Sequence, residues 1–256
     1  MLCQVRKNIV RSLLRVLAAI GIIVVASSGT PLSIWIYIAW FALAFGCFIR
    51  IRTGLAVAFV LFSGVLCILE ARWRTTPQVK VPADQPVYVI GDSISAGIGQ
   101  HEKTWPAVFR DISHLNVKDL SQPGATVESA MLHAQQINIQ PATVILEIGG
   151  NDLLGGAKAQ DFRRQLDVLL GALEGKHQRI IMFELPLLPF KNGFGEAQRS
   201  LAGKYHATLI PKKCMVRIFE MKNGTVDDLH LSQEGHNAFA QLVQTVVVAE
   251  PVTSHP

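Results

Sequence analysis

In the stretch Thr143-Val144-Ile145-Leu146-Glu147-Ile148-Gly149-Gly150-Asn151-Asp152, a nearly unbroken apolar run passes straight into two glycines, a carboxamide and a carboxylate. Six residues that do not alternate between apolar and polar suit a strand covered on both faces. The glycines end it abruptly and leave two polar side chains at its C-terminal end. Similar short β-rich runs occupy 87–90, 117–120, 179–185 and 208–210. Between and after them lie helical patterns at 104–113, 126–137, 160–174, 196–206 and 232–248. Strands alternating with helices at this spacing predict an α/β fold, a parallel sheet with helices on both faces. In such sheets the sites gather where the strands end at their C-termini.

The residues at those ends are chemically specific. The first strand runs into Gly91-Asp92-Ser93, the second into Ser121-Gln122-Pro123-Gly124, the third into Gly149-Gly150-Asn151-Asp152. Asp227-Asp228-Leu229-His230 stands just before the last helix. One rim thus receives a hydroxyl, backbone amides, a carboxamide and an Asp/His pair, which are the parts of an acyl-transfer site. Ser93 also suits a helix cap, and Asn151 and Asp152 suit a strand end, but the four blocks together favour the catalytic reading.

Gly91-Asp92-Ser93, Gly124, Gly149-Gly150-Asn151-Asp152 and Asp227-x-x-His230 resemble, in order and separation, the four signature blocks of the SGNH (GDSL-like) hydrolases. The resemblance covers 87–248 and leaves 1–80 outside it. It implies a three-layer α/β/α sandwich with a flavodoxin-like parallel sheet, and a serine esterase needing neither metal nor cofactor. It further implies that Ser93 is the nucleophile, His230 its base and Asp227 the group that orients the imidazole. The oxyanion hole would comprise the N–H of Ser93, the N–H of Gly124 and the carboxamide of Asn151. Asp92 and Asp152 would orient loops. Two positions depart from the family pattern: Ile94 replaces a usual leucine, and Asp228 a usual glycine. The second leaves two aspartates as partners for His230, with spacing favouring Asp227. No Gly-x-Ser-x-Gly surrounds Ser93, because Ser95 fills the last position, so an ordinary α/β-hydrolase elbow is disfavoured.

The chain has 256 residues, 50% hydrophobic and 17% charged, with a mean hydropathy of +0.32. Its net charge of +5 divides unevenly: residues 1–80 hold nine Lys/Arg against Glu70, whereas 81–256 are net acidic. No basic stripe remains in the α/β region to neutralise phosphates, which argues against nucleic acid as a partner. Residues 16–49 carry no charge at all, and as one helix would extend about 51 Å against a hydrocarbon core of about 30 Å. Breakers at 27–31, from Ser27 to Pro31, predict a fold-back into spans near 13–28 and 32–49. Residues 53–69 predict a third span. Trp35, Tyr37 and Trp40 are either interfacial anchors or, for Trp40, packing.

The expected organisation is therefore a membrane segment over 1–72, a proline-punctuated tether over 73–86 and an esterase domain over 87–250, with the bilayer engaged through 13–70. Six Lys/Arg on one side of three spans and three on the other place the domain outside the cytoplasm, on the periplasmic or extracellular face of, for example, a bacterial inner membrane. Reading 1–28 as a cleaved signal peptide preserves that topology.

Candidate substrates are glycan O-acetyl groups, lysophospholipids and other acyl esters. Alternatives are an O-acyltransferase using the same Ser/His/Asp residues, and a non-catalytic membrane-held binding module. Of the other histidines, His236 reads as structural or surface, and His101, His114, His133, His177 and His206 have no metal-ligand spacing. Cys214 reads as packed. Residues 191–195 read as either a substrate loop or a simple turn.

Overall fold

Strands that lie parallel must be joined by crossovers, and the predicted helices supply them. A computed structural model describes residues 9, 12–13, 16–17, 19–21, 30–49, 53–99, 101–176, 178–188 and 191–250. The chain divides into two units: Met1–Thr75 with Leu187–Glu196, and Thr76–Pro186 with Ala197–Pro256.

In the first unit, helices α1 (Ile34–Ile49) and α2 (Thr53–Arg72) pack on each other through Trp40, Ala44, Ala56, Phe59 and Leu66. The Trp40 indole N–H donates to Ser63 Oγ at 2.9 Å, so this residue is packing and not an anchor. The helices are apolar on their outer faces too: Trp35 is 74% exposed, and Phe45, Leu61 and Ile68 are exposed as well. A helix apolar all round requires an apolar environment on both sides. Where three spans are expected, one described helix, α2, is long and apolar enough to cross a membrane, over Gly54–Ala71. The 16 residues of α1 reach about 24 Å, short of the hydrocarbon core. The expected span at 13–28 lies largely outside the described residues.

Residues 191–195 prove to be neither open loop nor simple turn. Asn192 starts a helix four residues earlier than expected, Phe194 is buried, and a side chain at Gly195 would strike Pro31 and Leu187.

The second unit begins with β1 (Val79–Pro82), which turns through Ala83–Gln85 into β2 (Val87–Gly91). There follow α3 (Ser93–Ala96), α4 (Trp105–Ser113), β3 (Val117–Asp119), α5 (Val127–Gln135), β4 (Thr143–Glu147), α6 (Gly150–Leu154) and α7 (Ala159–Glu174). The chain continues as β5 (Arg179–Phe183), α8 (Asn192–Lys204), β6 (Thr208–Ile210), α9 (Lys212–Phe219), α10 (Gln233–Val246) and β7 (Val247–Glu250). The five central strands are all parallel in the order β3-β2-β4-β5-β6. This is the flavodoxin-like order, and its direction reverses between β2 and β4.

Both central strands are buried along their whole length. On one face, Val87, Val89, Ile145, Ile181 and Phe183 pack with Trp105 and Phe109 of α4 and Phe239 and Val243 of α10. Against the sheet's other face lie α5 and α7, which also pack on each other. Cys214 is buried in the first of these cores, as expected.

The expected tether holds a surprise. Residues 79–82 pair in parallel with 247–250, from Val79 opposite Val247 to Pro82 opposite Glu250. Val81 is fully buried, so the segment joining the two units is sewn onto the domain. The final helix stops at Val246 and not 248, because the β-branched run Val246-Val247-Val248 leaves helix for strand.

Candidate active site

Ser93 sits at the C-terminal end of β2, in the first turn of α3. Asp92 caps that helix: its Oδ1 accepts the Ile94 amide at 3.0 Å. The preceding Gly91 has no room for a side chain, since a Cβ would collide with Ser95 and press on the Glu147 carbonyl. Glycine there lets the serine turn lie flat against β4.

Asn151 leaves the end of the neighbouring strand β4. Gly149 makes the exit possible with φ at 108°, a conformation unfavourable to other residues, and a Cβ would run into Phe162. The Asn151 amide donates to the Ala125 carbonyl at 2.9 Å and to Asp92 Oδ2 at 3.4 Å. The first is a full hydrogen bond and the second is stretched. The hydrogen directed at Asp92 is thus the less firmly held of the two. Gly124, at φ 76° with open space beside it, precedes Ala125, so the second and third blocks are joined by this carboxamide. Asp152 accepts the Val127 amide at 3.0 Å, and a Thr126–Ser129 capping box starts α5 on the same side. Both Asp92 and Asp152 therefore hold loops, as their sequence positions suggest.

The fourth block is a closed turn. Thr225 bridges Leu231, and the Val226 amide donates to the His230 carbonyl at 2.9 Å. Asp227 Oδ1 accepts the His230 amide at 2.7 Å and the Leu229 amide at 3.2 Å, while Oδ2 meets His230 Nδ1 at 2.7 Å. With Nδ1 donating its hydrogen to the carboxylate, Nε2 keeps a lone pair with which to take a proton. The backbone amide of His230, then its ring, hold Asp227 down at about 2, so it remains a carboxylate throughout ordinary pH. Of the two aspartates, Asp227 contacts the ring, and Asp228 turns the chain at φ 66°. That left-handed conformation explains why glycine suits position 228 and why aspartate tolerates it.

Asp92 ties the two halves of the site together electrostatically. Burial raises its carboxyl to about 6, the Ile94 amide and the charge of His230 pull it down, and Asp152 pushes it up. The site residues predicted from sequence stand at the ends of adjacent strands β2 and β4, in the loop after β3 and in the turn before α10. A buried layer beneath them went unread: Ser95, Glu147, Trp105 and His236, each at most 2% exposed. Among the described residues no cluster of His, Cys, Asp and Glu could hold a metal ion.

If the stretched Asn151 hydrogen is an oxyanion donor, Asn151→Ala lowers kcat by about 100- to 1000-fold with little change in KM. Steady-state hydrolysis of an activated ester checks this, and an unchanged kcat removes Asn151 from the oxyanion hole.

Known proteins share this chain's family pattern and its fold. The family described as GDSL-like Lipase/Acylhydrolase matches residues 89–238. "Thioesterase 1/protease 1/lysophospholipase L1" of Escherichia coli is 27% identical over 142 residues, 52% of this chain and 68% of that protein. An arylesterase of Vibrio mimicus is 25% identical over 142 residues, 50% of this chain and 71% of its own. Among solved structures, the psychrotrophic esterase EstA from Pseudoalteromonas, inhibited by monoethylphosphonate, superimposes with a TM-score of 0.56 at 20% identity, over 62% of this chain and 94% of that one.

Proposed function

The chain belongs to the GDSL-like lipase/acylhydrolase family, as a hydrolase acting on ester bonds, and from that premise we propose that it is a membrane-held serine esterase working through an acyl-Ser93 intermediate. The observation that carries the mechanism is the 2.7 Å bond between Asp227 and His230 Nδ1, which orients Nε2 as a base. A serine hydroxyl is too weakly acidic to attack unaided. In the proposed sequence, His230 takes the Ser93 proton as Oγ bonds to the ester carbonyl. The resulting oxyanion is met by the N–H groups of Ser93 and Gly124 and by the Asn151 amide. The C–O bond then breaks as His230 returns the proton to the departing alcohol. Water, activated by the same imidazole, releases the acid and restores Ser93.

The proposed substrates are acyl esters met at the bilayer, lysophospholipids foremost. Support comes from the exposed apolar faces of α1 and α2, from the length of α2, and from the lysophospholipase name of the E. coli relative. The basic residues flanking the apolar stretches support a catalytic domain outside the cytoplasm, held by more than one N-terminal span.

A fluorophosphonate probe tests the proposal on the full chain. Labelling is expected at Ser93, and hydrolysis of a lysophospholipid should exceed that of an acetylated glycan. An unlabelled Ser93 in folded protein ends the esterase reading, and faster glycan deacetylation overturns the lipid assignment. A C-terminal alkaline phosphatase fusion should be active; an inactive one places the domain in the cytoplasm.

A further inference from the structure

Beneath the site runs a chain of buried hydrogen bonds that the reaction does not use. Ser95 Oγ–H donates to Glu147 Oε2 at 2.8 Å, and the same Ser95 oxygen accepts the Trp105 indole N–H at 3.1 Å. The Trp105 backbone N–H in turn donates to His236 Nδ1 at 3.1 Å. These residues stand on four different elements: Glu147 ends β4, Ser95 lies in the short helix begun by Ser93, Trp105 starts α4 and His236 lies in α10. We propose that Glu147, Ser95, Trp105 and His236 are positioning residues of this same site, a relay that locks the turn bearing Ser93 to the helix that follows His230.

The proposal rests on the esterase reading and on three features of the contacts. First, the relay joins the two parts that must meet for proton transfer. Ser95 is two residues from Ser93, and α10 starts at a Ser232 cap two residues after His230. Second, the surroundings are apolar. Trp105 stacks on Phe239 at 4.9 Å, and Phe109, Ile94 and Val89 share the same core. A polar chain in such a place risks unpaired groups that apolar residues would not, so fold stability alone does not account for it. What directional bonds add is a fixed angle and distance between elements. Third, Glu102 braces the chain just past the serine helix, accepting the Ile98 and Gly99 amides at 2.5 and 2.6 Å, and its other oxygen lies 3.9 Å from His236 Nε2, which makes no hydrogen bond among the described residues.

The charges facing the relay are few. Asp92 faces Glu147, and its charge adds to the burial that drives the Glu147 carboxyl well upward. On the other side Glu102 acts on His236 among the described residues, and burial outweighs it and favours the neutral ring. Glutamine is the fitting replacement at 147, because its amide oxygen accepts the same serine hydroxyl.

The test compares Ser95→Ala, Trp105→Phe, Glu147→Ala and Glu147→Gln in the full chain, using kcat and KM on a soluble activated ester, the fluorophosphonate labelling rate and Tm. A displacement of about 1 Å at a reacting group costs roughly 100-fold. Ser95→Ala, which removes one partner with little volume change, and Trp105→Phe, which removes the indole donor while keeping an aromatic ring in the core, should therefore lower kcat and labelling about 10- to 100-fold at nearly constant KM. Combining them should add little, because both cut the same relay. Glu147→Gln should recover most of what Glu147→Ala loses.

Wild-type kcat in folded Ser95→Ala and Trp105→Phe proteins would falsify the positioning role, leaving the relay as core filling. Loss appearing in Tm or KM alone does the same, and so does a Glu147→Gln variant as impaired as Glu147→Ala. If wild-type Ser93 itself is never labelled, the esterase reading fails instead, which separates the two outcomes.

Discussion

On the proposed mechanism, His230→Ala should lower kcat on an activated ester by about 10⁶-fold, Ser93→Ala should do the same, and the double variant should lose no more than either. The reason is that the two side chains act in one proton transfer. Without an imidazole the hydroxyl is not a nucleophile, and without the hydroxyl the imidazole has nothing to deprotonate. Losses from members of one unit do not add. The fold should survive both changes: the His230 side chain is 23% exposed, and its turn is closed by backbone bonds from Val226 and by the Thr225–Leu231 bridge. Tm within a few degrees of wild type, together with the collapse of kcat, is the expected pairing. Rates that fall only modestly for His230→Ala, with Ser93 still labelled, would assign the base to another residue.

The readable parts of this chain are those whose information is local. Residues 87–90 and 143–148 announce buried strands through unbroken apolar runs, and their glycine endings place Ser93 and Asn151 on neighbouring tips. The Asp227–His230 spacing is also local, because one turn brings the carboxylate onto both the ring and the amide. Other features depend on partners far along the chain. Lys80 and Glu250 meet at 3.1 Å across 170 positions, and nothing near Val79 in sequence reveals that a proline-punctuated stretch will become a strand. His236 reads as structural or surface from its helix position, yet the residue that gives it a role, Trp105, lies 131 positions earlier. The short α1 fails for another reason. Hydropathy counts apolar residues, whereas the helix boundary depends on where Pro31 and Ser33 let it begin. Asp228 looks like a rival to Asp227 until the contact of Asp227 with His230 Nδ1 and the φ of 66° at Asp228 are known.

That angle sets up the sharpest contrast between two adjacent acids. Asp227→Asn should reduce kcat by about 10³- to 10⁴-fold. If the asparagine oxygen keeps the Leu229 and His230 amides, the turn keeps its shape and an amide donor faces Nδ1; flipped, a neutral oxygen faces Nδ1 and those two amides lose their acceptor. A donor at that position forces the ring's hydrogen onto Nε2, the nitrogen that must be bare to act as base. A neutral oxygen keeps the tautomer but no longer stabilises the imidazolium formed during attack. Asp228→Gly, by contrast, should leave kcat unchanged and stability within about 1 kcal/mol, because glycine adopts the left-handed conformation at no steric cost. Kinetics and thermal melts of the two variants decide the matter. Since Asp227 stays ionised down to about 2, any loss of wild-type activity at mildly acid pH belongs to other groups. A strong kcat loss in Asp228→Gly, with Asp227→Asn unaffected, would reverse the assignment of the orienting carboxylate.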